Sequence, residues 1–151
     1  MKSEIKAAFQ KAAKEHEARA VERLREQEKR LTDRDQFEAG WSDTRARIVL
    51  PALRQIREEV LTPAGWTSEV RSDDKEESAT IEVYKGSMHA LGTTRRPSIT
   101  FVIDRHSPTI FVTSQSISQG GGQGKFPLDE VTEEFVQATV LKFFQRLTSE
   151  G

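Results

Sequence analysis

Three observations place this 151-residue chain in the α+β class. Its first third has helical apolar spacing and no proline, its middle alternates apolar with polar residues, and its last segment returns to a helical period. Strands grouped together and bracketed by helices predict an α+β layer architecture rather than a parallel βαβ fold. The architecture expected is a long N-terminal helical hairpin, a four-stranded antiparallel β-meander and a C-terminal helix packed on the sheet. A chain of this length is expected to form a single domain over residues 1–151. Within it the hairpin takes residues 1–62, the meander 66–117, a glycine-rich loop 118–128 and the closing helix 129–149.

At 100° per residue, Ile5, Phe9, Ala13, His16, Ala20, Leu24, Gln27 and Leu31 share one narrow arc, with Lys, Arg and Glu around the rest. No proline or glycine precedes Gly40, so the first helix is expected from about Ser3 to about Glu38, roughly 50 Å at 1.5 Å per residue. Gly40 suits a left-handed terminator, with Trp41 as the hydrophobic contact of that cap. Ser42 or Asp43 can then cap a second helix that reaches Leu61. That helix places Val49, Ala52, Leu53, Ile56 and Val60 on one side. Pro51 removes one backbone bond, which predicts a kink there or a start near Leu50. Thr62-Pro63-Ala64-Gly65 ends the helical half.

From Trp66 the period becomes two. Trp66, Ser68 and Val70 alternate with polar neighbours, as do Ile81 and Val83, and then Ile99, Phe101 and Ile103. A fourth run covers Thr109 to Ser116, and Asp73 to Glu77 connects the first two. Arg105-His106-Ser107-Pro108 reads as a four-residue hairpin loop. Pairing Asp104 with Thr109 sets Ile103 opposite Ile110, Val102 opposite Phe111 and Phe101 opposite Val112, so both strands agree on the buried face. The closing helix is expected from a cap at Asp129 to about Thr148, with Val136, Val140, Leu141, Phe143, Phe144 and Leu147 on the sheet side. Phe101, Ile103, Val112, Val140 and Phe143 are the expected core between sheet and helix.

Composition narrows the function classes. The 23 Lys+Arg balance 24 Asp+Glu, so the global field favours neither nucleic acid nor a membrane surface. The absence of cysteine excludes a disulfide framework, a thiol nucleophile and a thiolate metal site, and three scattered histidines do not make a zinc centre. No cofactor, metal ligand set or catalytic residue is predicted. The opening residues lack an apolar stretch and no window approaches ~18 continuous apolar residues, which predicts a cytoplasmic protein with no membrane span.

Several segments invite chemistry and reduce to structure. Gln119 to Lys125 lies between strand and helix, but Gln119 and Phe126 stand where a Walker loop needs glycine and Ser or Thr, so a mobile linker is expected. Asp104, His106 and Ser107 share one short turn and cannot form the relay of a hydrolase triad. His16 and Gln27 interrupt the apolar row, where a polar residue commonly sets helical register. Arg45, Arg47, Arg54, Arg57, Arg95, Arg96 and Arg105 could make a basic surface, but acids neighbour them and no aromatic residues interleave them.

The function predicted is a non-catalytic protein-interaction or oligomerisation module. Its expected partner is a second copy in a homodimer formed through the N-terminal helix, in coiled-coil manner. The candidate interface is Ile5, Phe9, Ala13, His16 and Ala20 on the helix, with Tyr84, Val102 and Phe111 as a second patch on the outer sheet face, suited to a protein partner. The alternative is a small-molecule-binding or enzymatic domain with a cleft between sheet and helices. Only Ser68, Ser114 and Ser116 would line that cleft, too few for acid–base work. Nucleic-acid binding through an Arg patch is the third reading.

Overall fold

The computed structural model describes residues 1–85, 96–115 and 120–149. It shows an α+β protein: a long N-terminal helix, an antiparallel sheet and a C-terminal helix. The chain divides into two compact units, Met1–Gln36 and Phe37–Gly151.

The first unit is entirely helical from Ser3 onward and belongs to α1 (Ser3–Thr44). Ala, Glu, Lys and Arg dominate it, and these lose little side-chain freedom in a helix. Local pairs add to that: Glu15 faces Arg19 one turn on at 4.0 Å, and the Thr32 hydroxyl donates to the Glu28 carbonyl at 3.0 Å. The charge pair contributes at most about 0.2–0.5 kcal/mol, and the Thr32 bond only satisfies its own hydroxyl.

The expected reversal at Gly40 does not occur, and α1 runs through it to Thr44. The physical reason is a close approach rather than a turn. A Cβ built on Gly40 would lie 2.8 Å from Leu128 Cδ2, so the missing side chain makes room for a neighbour. Trp41 is likewise not a cap contact. It is fully buried, and its Nε1 donates to the Glu77 carbonyl at 2.6 Å, fastening the helix to a turn between strands.

Helical backbone continues to Leu61 with two widened turns. A π-helical turn, Arg45–Val49, precedes α2 (Leu50–Ile56), and a second one, Arg57–Leu61, follows. The first carries Pro51 into the helix start: Pro51 has no N–H to give and its ring crowds the carbonyl four residues back, so the widened turn relieves both. The left-handed glycine that ends the helix is Gly65, at φ 84°. Its N–H donates to the Thr62 carbonyl (3.1 Å) and that of Trp66 to the Leu61 carbonyl (2.9 Å), the paired bonds of a Schellman motif.

Among the described residues the sheet has five antiparallel strands in sequence order: β1 (Thr67–Asp73), β2 (Ser78–Tyr84), β3 (Ser98–Ile103), β4 (Thr109–Gln115) and β5 (Gly120–Pro127). The predicted hairpin register holds, with Ile103 opposite Ile110, Val102 opposite Phe111 and Phe101 opposite Val112. Asp73 closes the first hairpin as expected of its type, accepting from the amides of Lys75 (3.0 Å) and Glu76 (3.1 Å).

β5 is the strand that replaces the expected glycine-rich loop. It pairs with β4 along its length, and the register slips between Val112 and Thr113, where Val112 faces Gly124 and Thr113 faces Gly122. The inserted residue bends the strand, and Gly124 takes a φ of 137° there, a value closed to side chains. Pairing satisfies the row of backbone groups that β4 would otherwise leave open.

After a 3₁₀ turn (Leu128–Glu130), α3 (Glu133–Ser149) begins one turn later than expected. Its cap is Thr132 rather than Asp129: the Thr132 hydroxyl accepts from the Phe135 amide at 3.2 Å. Val136, Val140, Phe143 and Leu147 are buried, in one core with Leu53 and Leu61 from the helices and Ile81, Phe101, Ile103 and Val112 from the sheet. The five residues expected between sheet and closing helix are all buried. Edge-to-face pairs at 4.8 Å tie the sheet to α3, Trp66 with Phe144 and Phe126 with Phe135.

Candidate functional site

Four places could carry function: the apolar row of α1, the outer face of the sheet, the β3–β4 turn and a groove between helices. The row comes first because it is the most exposed. Ile5 is 47 %, Phe9 66 %, Leu24 59 % and Leu31 67 % exposed, values far above those of ordinary packed aliphatics. Ala13 and His16 are exposed beside them and Ala20 is partly buried. The hairpin expected at Gly40 would have laid the second helix along the end of the first, over Leu24 and Leu31. With no reversal at Gly40 they stay open, and the exposed row is longer than the sequence suggested. Phe37, at the start of the second unit, packs against the core instead.

On the outer face of the sheet, the structure brings Val102 and Phe111 together as a directly opposed pair. Tyr84 is elsewhere. Val102 faces Ser78 at the start of β2, and Tyr84 lies six positions along that strand, about 20 Å away at ~3.3 Å per residue. Tyr84 lies under the Arg96 guanidinium, whose centre is 4.2 Å from the ring. Arg96 also approaches Glu69 and Glu82, and Arg71 pairs with Glu82. The remaining arginines are similarly placed: Arg47 pairs with Asp43, Arg57 with Glu58 and Arg105 with Glu76. Arg45 is buried and structural, donating to the carbonyls of Asp73 (2.9 Å) and Ser78 (3.3 Å) and to the Asp74 carboxylate (3.2 Å). Arg54 is exposed, and Arg95 falls outside the described residues.

The β3–β4 turn is built on Asp104. Its carboxylate accepts from the His106 amide (2.9 Å), the Ser107 hydroxyl (2.8 Å) and the Thr109 hydroxyl (3.4 Å), and it pairs with Lys125 of β5 at 2.8 Å. Lys125, then the backbone and hydroxyl donors, hold this carboxyl far below the usual carboxylate range. The arrangement staples the loop to β5. Lys125 is the member that sequence reasoning missed, because the glycines around it hid a strand.

The groove was also missed. It lies between the C-terminal part of the long helix and α3, with Ile56, Val60 and Leu61 on one wall and Val140, Leu141 and Phe144 on the other. Val60 and Leu141, each 55 % exposed, form its lips. Both were expected to face the core with the rest of their apolar arcs. Gln55, Glu59 and Gln137 complete the lining. The Gln55 amide donates to Glu59 (3.3 Å) and that of Gln137 to Glu133 (3.4 Å), so two carboxylates mark the rim. Of the serines expected in a cleft, Ser68 and Ser114 are partly buried, the Ser68 hydroxyl oxygen has no partner, and Ser116 falls outside the described residues.

Among the described residues no helix is long and apolar enough to cross a membrane. Comparison with protein-family models, with curated proteins and with solved structures finds no match to this chain.

Proposed function

We propose that this chain is a non-catalytic self-association module in which α1 binds a second copy through its apolar row. The observation that carries this reading is the exposure of Ile5, Phe9, Leu24 and Leu31 on one helix face. Full burial of an aliphatic or aromatic side chain of that size contributes about 1.5–3 kcal/mol, and these four are already about half buried, so covering them on both chains contributes a sum of the same order as the cost of association. The small residues Ala13 and Ala20 permit close helical approach, and the flanking charges can pair across a two-fold interface. Val102 and Phe111 offer a second, smaller recognition surface.

A small-molecule or enzymatic site between sheet and helices is less well supported, because buried side chains such as Phe101, Val112 and Phe143 fill that space. Nucleic-acid binding is less well supported too, since most of the candidate arginines have a carboxylate beside them. The test is substitution of exposed members of the row. Phe9→Glu and Leu24→Glu are each expected to leave the circular dichroism spectrum unchanged and to convert the associated form to monomer in sedimentation equilibrium. Retained association in both variants removes the reading.

A further inference from the structure

The groove between the long helix and α3 has the features of a helix-binding site, and the chain itself carries a segment that fits it. Its volume is about 230 Å³, below the ~300–1,000 Å³ of typical small-molecule sites, so it suits a few side chains rather than a ligand. Its lips are aliphatic and open at Val60 and Leu141. Its rim is acidic, with Glu59 in the lining and Glu133 behind Gln137. These features fit a short apolar helix face with basic flanks.

The row of α1 has that character only in its first three turns. Ile5 and Phe9 are large anchors one turn apart, and Ala8, Ala12 and Ala13 beside them leave room for helical approach. From His16 onward the same arc carries His16, Arg23, Gln27 and Arg34, which an apolar groove would have to desolvate. Residues 2–14 also hold Lys2, Lys6, Lys11 and Lys14 against the single acid Glu4, which gives four positive charges, one negative and a net of +3. The sign is opposite to that of the rim, and complementary charge steers and registers such a contact.

We infer that residues 3–14 of one copy dock between Val60 and Leu141 of a second copy, with Ile5 and Phe9 as anchors and the lysines toward Glu59 and Glu133. This rests on the self-association proposed above and names the surface that the first turns meet: the groove rather than the same row of the partner. The proposed dimer is reciprocal, each copy giving its first turns to the groove of the other about a two-fold axis.

Full-length variants in sedimentation equilibrium test this. Phe9→Glu spoils the helix and keeps the groove; Leu141→Glu spoils the groove and keeps the helix; Val60→Glu, on the opposite wall, guards against a folding defect in the second. Thermal melts identify which variants are folded. Each variant alone is expected to be monomeric. A 1:1 mixture of Phe9→Glu with either groove variant is expected to recover a heterodimer, about 10²-fold weaker than the parent because one of two linked contacts remains. If both groove variants associate like the parent while Phe9→Glu is monomeric, the groove assignment is wrong and self-association through the row stands. A mixture that stays monomeric also overturns the groove assignment. Undiminished association of Phe9→Glu overturns the docking of residues 3–14, and it overturns the row as well when Leu24→Glu also associates like the parent.

Discussion

Four donors converge on the carboxylate of Asp104, and this one side chain ties the β3–β4 turn to β5. Its pKa is depressed in the folded chain, with Lys125 as the largest cause, and an unfolded aspartate titrates near ~3.9. A depressed folded value contributes stability that is fully present above the unfolded pKa and lost as pH falls toward the folded one. Asp104→Asn is therefore expected to melt below the parent at pH 7, with the gap closing as the buffer is taken below about pH 4. Thermal melts of both proteins across that range check it, and a gap independent of pH contradicts it. Gly40 sets a second test at the same scale. Inside a helix, alanine is favoured over glycine by about 1 kcal/mol, but here a Cβ would press on Leu128. In a Leu128→Ala background, Gly40→Ala is expected to stabilise by up to ~1 kcal/mol, and by less in the parent. Equal effects in both backgrounds would show that Leu128 is not what requires the glycine.

At the scale of elements, legibility followed the presence of side chains. The β3–β4 hairpin could be registered from sequence because both strands alternate and the alternation permits one pairing. β5 could not, because four of its first five residues are glycines and display no alternation, so a paired strand looks like a linker. Gly40 misled for a related reason: a helix cap and a tight packing position use the same residue, and only the position of Leu128 separates them. The helical arcs were legible as arcs but not as faces. Val60 and Leu141 have the periodicity of core residues and line an open groove, since periodicity reports which residues share a side and not what covers that side. Phe143 shows the same inference succeeding, with 3 % exposure in the core. Phe143→Ala is expected to cost about 3–5 kcal/mol, measured by urea denaturation, whereas Leu141→Ala is expected to cost well under half of that because Leu141 is already largely in water. Similar losses at the two positions would contradict the packing of α3.

For the whole molecule, the feature that most needs a physical reason is a long helix carrying a row of exposed large apolar residues. Most helical stability in proteins comes from packing an apolar face, and in the first unit that face is open from Ile5 to Leu31. The candidate residues Ile5, Phe9, Ala13, His16 and Ala20 were legible because the helical period assembles them without reference to the rest of the fold. The length of the open row was not, because it depended on whether the chain turned at Gly40. A second copy is the partner we propose for that row. The most direct measurement is the mass of the full-length chain by sedimentation equilibrium over a range of concentrations at moderate salt. Self-association predicts a mass approaching twice the 17.1 kDa of one chain at tens of micromolar and falling toward one chain on dilution. A mass of one chain throughout that range would contradict it.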